Sequence, residues 1–564
     1  MKKKLMSLVL LAGLLLSAVT GCSSSTDTES AAEQAAKSAK TATITLTAIT
    51  GSSTTEEAIK DVQAALNKIT KSELKTQVIL QLTTADKYVD FVDSQVAKIE
   101  EEIAAAEEEE ARIKEEKKAK KEAEKLANAG KKNRSKWTTT TTAETEEDTG
   151  DTQEMTQDEF GREIMKYPDL EGTSLDILFI SGIDMYNDFV EKEYLTSLND
   201  ELANGSKILN KYIYPTILNA GRENSSTSTC YAIVNNHMIG EYTYLLVDKT
   251  LAKKYSFDAS KVKTLADCEE FLDNVKANEP DYVPLNKSVD LNYVYYCEGE
   301  RSMVGTIIKP TYLPTSKAMP KNLLLDSSYQ AHYALLDKLK AGNYIGTGSK
   351  YAIEIVNGYI DAPEVNGWED NYEVVVYEKP VATNDNVFNG MFAVSAYASD
   401  VARCMEVVTL LNTNAEYRNT YAFGVEGVNY EFNEDGTVHM LNNDWSMDFF
   451  HTGNTYIGAV PETLPANYAE IGKLQNIETI ISPFLKWVYA NEETAATSSA
   501  FAAIDKKYLA AFDAASTEEK LTYKDLHEEE FKADEALENM VSADGKDGYA
   551  VSYVDFQQST YPAS

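Results

Sequence analysis

Between Thr43 and Ile49 every second residue is apolar, with Ile44, Leu46 and Ala48 on one side and threonines on the other. That period of two predicts a β-strand with one buried face. Gly51-Ser52-Ser53-Thr54 follows as a turn, and Thr54 with Glu57 predicts a capping box for the next helix. Ile59, Val62, Leu66 and Ile69 then recur at helical spacing and predict one buried stripe. A second alternating strand runs through Val78, Leu80 and Leu82, and a helix from about Thr84 carries Tyr88 and Phe91 inward. Leu175 to Ile180 is almost wholly apolar, as a strand covered on both faces should be. It leads through Ser181-Gly182 into a helical segment over 186–194. Alternating strand and helix predict an α/β fold with a parallel sheet and right-handed crossovers.

From about Lys98 to Lys125 the periodicity gives way to Glu, Lys and Ala, and a five-threonine run follows at Thr138 to Thr142. This insertion, about 98–160, reads as a solvated helix leading into a polar loop. It lacks the sustained a/d heptads of a coiled coil. A second block opens near Tyr242, where Thr264 to Asp267 caps a helix burying Phe271, Leu272 and Val275. Strands are predicted over 372–377 and 391–394, then a helix over 399–411. The segment 491–564 is acidic and mainly helical, less regular after Ser542.

The amino terminus has a different order. Lys2 to Lys4, an apolar run from Leu5 to Val19 and small residues before Cys22 have the layout of a secretory signal. At roughly 15 residues the run is short of the ~20 that a spanning helix needs. Val19-Thr20-Gly21-Cys22 resembles a lipobox, so residues 1–21 are expected to be removed and Cys22 to carry lipid. Two acyl chains give a stable anchor where one gives only marginal binding. Residues 22–40 are then a Ser- and Ala-rich tether, too poor in bulky apolar groups to pack.

Composition sharpens this picture. The 564 residues suffice for two or three domains, and 43% hydrophobic content can fill their cores. A net charge of −37 excludes a phosphate-backbone partner, which needs clustered Lys and Arg. Cys230, Cys268, Cys297 and Cys404 show no CxxC spacing, leaving two disulfides or four buried thiols open.

No catalytic motif emerges: the chain has no GxSxG, GxxxxGK[ST], HExxH or strand-following GxGxxG pattern. His237, His332, His439, His451 and His527 lack metal-ligand spacing, and no metal or cofactor is expected. Asn433 to Gly436 and Asp544 to Gly548 lack the distal Glu of a calcium loop and read as tight turns. A carboxylate pair for glycoside hydrolysis stays open, because its defining separation is spatial. Loops carrying Asp184-Met185-Tyr186, Gly367-Trp368-Glu369, Val428-Asn429-Tyr430 and Asp444-Trp445 set aromatic rings beside polar groups. That pairing suits stacking on a hydroxylated ligand; the alternative use of each ring is packing between lobes or over helices.

Four stretches together carry a family resemblance: TATITLTAITGSSTTEEAIKDVQAALNKI, SLDILFISGIDMYNDFVEKEYLTSLND, CYAIVNNHMIGEYTYLLVDKTLAKKY and GMFAVSAYASDVARCMEVVTLLNTNAEYRNTYAFGVEGVNYE. By their order and spacing the chain resembles the family 1 extracellular solute-binding proteins of ABC importers, relatives of maltose-binding protein. The resemblance implies a two-lobed periplasmic-binding-protein-like α/β fold with a cleft and hinge. Lobe one would span 41–235 with a return over 385–490, and lobe two 236–384. Tyr231 to Tyr244 and Glu373 to Val394 would cross between them. By analogy Ser52, Ser53, Asp184, Tyr186, Tyr242 and Trp368 would face the cleft, with Tyr430 and Trp445 beside them. The implied function is capture of a small polar solute, a sugar or oligosaccharide, by a monomer held to the membrane at Cys22 and serving permease subunits. The other readings are a surface glycoside hydrolase and an interaction protein acting through the acidic insertion. The insertion and the end of the chain from about Ala495 depart from the family pattern.

Overall fold

A computed structural model describes residues 41–132, 155–157, 163–165, 174–213, 217, 229–291, 294–296, 304–308, 321–482, 484–487, 495–541 and 553. The signal, Cys22, the tether, the threonine run, Cys297 and the turn at 544–548 lie outside them. In chain order the first sheet draws on β1 (Ala42–Ile49), α1 (Glu56–Glu73), β2 (Thr76–Thr83), α2 (Ala85–Lys132), β3 (Ile177–Ile180), α3 (Ile183–Glu191) and β4 (Ala232–Val234). The chain then crosses to β5 (Tyr242–Asp248), α4 (Lys249–Lys254), α5 (Glu269–Asn278), β6 (Val283–Leu285), α6 (Ser327–Ala341), β7 (Tyr351–Gly358) and β8 (Tyr372–Glu378). It returns through β9 (Val381–Ala382) to β10 (Met391–Val394), α7 (Val401–Thr413) and α8 (Ala415–Phe423). A hairpin of β11 (Tyr430–Phe432) and β12 (Val438–Met440), α9 (Tyr468–Glu478) and β13 (Ile480–Ile481) precede a helical end.

The first sheet has strand order β2-β1-β3-β10-β4. β1 runs parallel to β2 and β3, as the strand–helix alternation predicts, but β10 is antiparallel to both of its neighbours. The sheet is therefore mixed. β10 enters from the crossing side, after the excursion through the second sheet, so it must run opposite to strands that lead toward that side. Two of the three threonines of β1 do not face solvent either, Thr43 alone being exposed. Thr45 and Thr47 are buried; Thr45 bonds the Asp176 carboxylate through its backbone N–H and its hydroxyl at 2.8 and 2.9 Å, and Thr47 donates to Gln81 at 2.9 Å. Hydroxyls satisfied by side chains let a polar face sit inside a covered sheet.

Helix α1 starts one residue later than the capping box predicts. Thr55 is its N-cap, accepting from the Ala58 N–H at 3.2 Å, because Thr54 is engaged by Thr50 and Ser446. Tyr88, Val92, Val96 and Ile99 form the buried stripe of α2, with Phe91 only half-buried. Beyond Ile103 the helix is solvated along its described side chains. The Thr264–Asp267 capping box does form, as the start of a 3-10 turn leading into α5.

The second sheet, β8-β5-β7-β6, has its own core of Leu245, Val247, Leu272, Leu336 and Ile353 under α4, α5 and α6. The terminal helices, α10 (Ala495–Ala514), α11 (Thr517–Leu521), α12 (Tyr523–Ala533) and α13 (Glu535–Val541), pack onto this second lobe. Phe512, Tyr523 and Phe531 share a core with Leu323, Leu324 and Tyr329, and the nearly buried Lys520 ammonium pairs with Asp337 of α6. Cys268 and Cys404 are buried thiols, and Cys230 donates its thiol to the Ala232 carbonyl at 3.4 Å. No described helix is long and apolar enough to cross a membrane.

Candidate ligand-binding site

Strands β1, β3 and β4 end, and β10 begins, on the same edge of the first sheet. Open α/β sheets bind their ligands in the crevice outside such an edge. The β1–α1 turn is fastened to the segment 444–446: Gly51 N–H donates to the Ser446 carbonyl at 2.7 Å and Thr55 N–H to that of Asp444 at 2.9 Å. A Cβ on Gly51 would meet Ser446 Oγ at 2.3 Å, so only glycine permits this approach. Ser52 and Ser53 are left exposed at the tip. Next along the edge, Ser181 Oγ donates to the Asn389 carbonyl at 3.3 Å and Gly182 N–H to that of Phe388 at 2.8 Å. Asp184 stands exposed in the first turn of α3.

The middle of the edge is built of amides and an imidazole. Asn235 is fully buried; its N–H donates to the Gly390 carbonyl and its Nδ2 to that of Phe450, at 2.9 and 3.0 Å. Its Oδ1 is buried with no hydrogen-bond partner. His451 is half-buried, with Nε2 3.4 Å from Asn389 Oδ1 and its ring centroid 4.7 Å from that of Phe179. Burial pushes its pKa below the ordinary value, outweighing the Asp448 carboxylate nearby. It therefore offers a neutral ring. Arg418 of α8 holds the Phe449–His451 turn from behind. Its buried guanidinium donates to the Phe449 and Ala459 carbonyls at 3.2 and 2.9 Å and lies 4.3 Å from the Phe449 ring centroid.

The hinge-side edge of the second sheet carries aromatics. Tyr242 opens β5 and stacks on Tyr244 at 5.6 Å, and Trp368 meets Tyr244 edge-on at 5.5 Å. Tyr244 hydroxyl donates to the Tyr359 carbonyl at 2.9 Å. Tyr359 and Ile360 then join Met238, Phe449, Phe450, Tyr456 and Tyr468 in one apolar cluster where the crossing segments meet. Gln475 and Asn476 of α9 stitch that junction. Asn476 accepts from Ile239 N–H at 3.0 Å and donates to the His237 carbonyl at 2.8 Å, while Gln475 bonds Gly240 and Ile360.

The crystal structure of the N-glycan transport solute-binding protein NgtS from Streptococcus pneumoniae aligns over 92% of this chain and 99% of its own, with a TM-score of 0.53 at 17% identity. The fold is that of a two-lobed solute-binding protein. In sequence, a carbohydrate ABC transporter substrate-binding protein of Streptococcus pneumoniae serotype 4 (strain ATCC BAA-334 / TIGR4) is 24% identical over 357 residues, 59% of this chain and 70% of the relative. No protein-family model matches. The resemblance drawn from the four sequence stretches thus agrees with both comparisons.

Within this solute-binding fold the eight residues expected at the cleft divide. Ser52, Ser53 and Asp184 are exposed on the first lobe's edge, and Trp368 is half-exposed on the second. Tyr242 lies at the hinge edge, but with 4% exposure most of its ring is spent on Tyr244. Three more are buried in packing contacts. Tyr186, 4% exposed, packs toward Phe388 in the first core because it points inward from α3. Tyr430 is wedged between Phe423 and Phe432 under the β11–β12 hairpin. Trp445 is 1% exposed and its indole N–H donates to the Tyr421 carbonyl at 3.0 Å, so neither ring face nor donor is open to a ligand. Asn235, Asn389, His451, Phe450 and Tyr359 went unread in the sequence. The strand-end signal could have found two of them: Asn235 directly follows β4, and Asn389-Gly390 directly precedes β10.

Proposed function

We propose that this chain is the lipid-anchored, extracytoplasmic substrate-binding component of an ABC importer, which captures a saccharide by lobe closure and passes it to membrane permease subunits. The observation carrying this reading is the junction itself. An edge of amides, hydroxyls and a neutral imidazole on one lobe meets an aromatic edge on the other, across crossing segments that can act as a hinge. Sugars ask for that combination, since their hydroxyls need donors and acceptors while their C–H faces stack on rings. The carbohydrate transport named for the pneumococcal relatives supports the ligand class. Binding without turnover is the role we assign, with lobe one at 41–235 and 385–490 and lobe two at 236–384. Lipid on Cys22 would keep such a receptor near its permease while leaving it mobile.

A melting screen against mono- and oligosaccharides, amino acids and peptides tests the ligand class. A ligand at ~100 times its dissociation constant should add about 2.7 kcal/mol. Trp368→Ala should weaken the sugar response while leaving the ligand-free melting temperature nearly unchanged. Peptides that shift the melting point where no sugar does would overturn the ligand class, and conversion of a bound glycan to products would return the hydrolase reading. Cys22→Ala should release the mature chain from membranes into the medium.

A further inference from the structure

The charges around this junction are one-sided. The segments 50–55, 181–184, 235–241, 357–371 and 442–458, which build both edges, contain no lysine or arginine. They contribute eight carboxylates, Asp184, Glu241, Asp361, Asp444 and Asp448 among them, all at least partly exposed. Three described cations flank these segments, each with a hydrogen-bonding partner. Lys379 pairs with Glu478, Lys249 donates to the Glu369 carbonyl, and the Arg418 guanidinium is buried against carbonyls. The positive end of α3 would favour an anion, yet Gly182 N–H is bonded to the Phe388 carbonyl and Asp184 occupies the first turn. Inside this acidic ring the partly exposed groups left for a ligand are neutral: the Asn389 amide and the His451 ring.

Resting on the saccharide reading above, we infer that the site selects uncharged saccharides, tolerates amino sugars bearing an ammonium, and excludes uronates, sialylated glycans and sugar phosphates. An anionic ligand bound between the lobes would bring its charge among the carboxylates of these segments, which hold no cation of their own to receive it. Closure would strengthen the repulsion by removing water from between them. A hydroxyl or acetamido group meets donors and acceptors instead. An ammonium finds Asp361 or Asp448 without displacing an existing ion pair.

Matched ligands test the inference on the full mature chain by calorimetry at about 0.15 M salt. Neutral malto-, cello-, manno- and N-acetylchito-oligosaccharides identify a binder. Its C6-oxidised counterpart should then bind on the order of tenfold or more weakly, with part of the loss recovered at high salt as the Debye length falls below its ~8 Å at 0.15 M. The 2-amino counterpart should bind at least as well as the neutral form at low salt. In the double variant Asp361→Asn/Asp448→Asn the ratio between neutral and oxidised ligand should shrink, whatever happens to the absolute affinities. Equal or tighter binding of the oxidised ligand overturns the inference while leaving the saccharide reading intact. If neither series binds, and amino acids or peptides do, the saccharide reading fails and the inference with it.

Discussion

Trp445 and Trp368 look alike in the sequence, each in a loop beside an acidic residue, and have opposite uses in the fold. Trp445 closes the first core over α8, so Trp445→Ala should lose about 3–5 kcal/mol of stability. Its melting curve should collapse toward lower temperature even without ligand, whereas Trp368→Ala should show its loss only when sugar is present. Charge at the residue scale has its own signature. Burial, with Asp290 nearby, raises the Glu378 pKa from 4.5 to about 7. The native state then holds a proton that the unfolded chain releases, so this stabilisation is complete below pH 4.5 and is lost as pH rises through about 7. Glu378→Gln keeps the neutral shape and should add on the order of 2 kcal/mol at pH 8, with little change near pH 4.5. His332 runs the other way. Burial lowers its pKa from 6.5 to about 4, so its contribution falls as pH drops through that window. Melting curves for Glu378→Gln that move equally at both pH values would show that Glu378 does not titrate in this way.

At the scale of elements, what a side-chain period specifies was readable and what the chain path specifies was not. The strand at 391–394 needs only a short apolar run and appears where the sequence places it, while the stripe of α1 buries Val62 and Leu66 with Ile59 and Ile69 half-buried beside them. The direction of β10 depends on the route through the second lobe, which no local window contains. The same holds for the buried Thr45 of β1, whose partner Asp176 lies 131 residues away. The residues expected at the cleft divide on this line too. Ser52, Ser53 and Asp184 follow strands in a readable α/β rhythm, whereas burial of Tyr430 and Trp445 depends on α8 and the hairpin folding back over them. The solvated half of α2 was legible because large apolar residues almost vanish after Ile103. Replacing residues 107–172 with a flexible linker should therefore leave the melting temperature nearly unchanged, since the buried stripe ends at Ile99 with Ile103 packed beside it. Sugar binding should survive as well. Loss of affinity in that variant would mean that the insertion takes part in capture.

For the whole molecule the question is what lets two cores move while joined by several segments. The crossing at 237–240 lies outside any strand and is buried as far as Ile239, and side chains from α9 bond its peptide groups. An arrangement satisfied by two amides can change partners during a rotation more readily than a sheet ladder can. If capture is by lobe closure, as proposed above, the Gln475–Asn476 pair is placed to set the resting angle between lobes. Asn476→Ala strands the Ile239 N–H and the His237 carbonyl, at a cost of about 1–3 kcal/mol for each buried group left unpaired. Some of that loss should appear as a broader distribution of lobe angles. Small-angle scattering gives the readout. The native chain should contract when saturated with its sugar, and Asn476→Ala should be more expanded before ligand and contract by more on binding. A native chain whose radius of gyration does not change on saturation would rule out closure as the capture step. An unchanged ligand-free radius in Asn476→Ala would instead confine α9 to a purely stabilising role, with the resting angle set by the paired β9 and β13 strands at the return crossing.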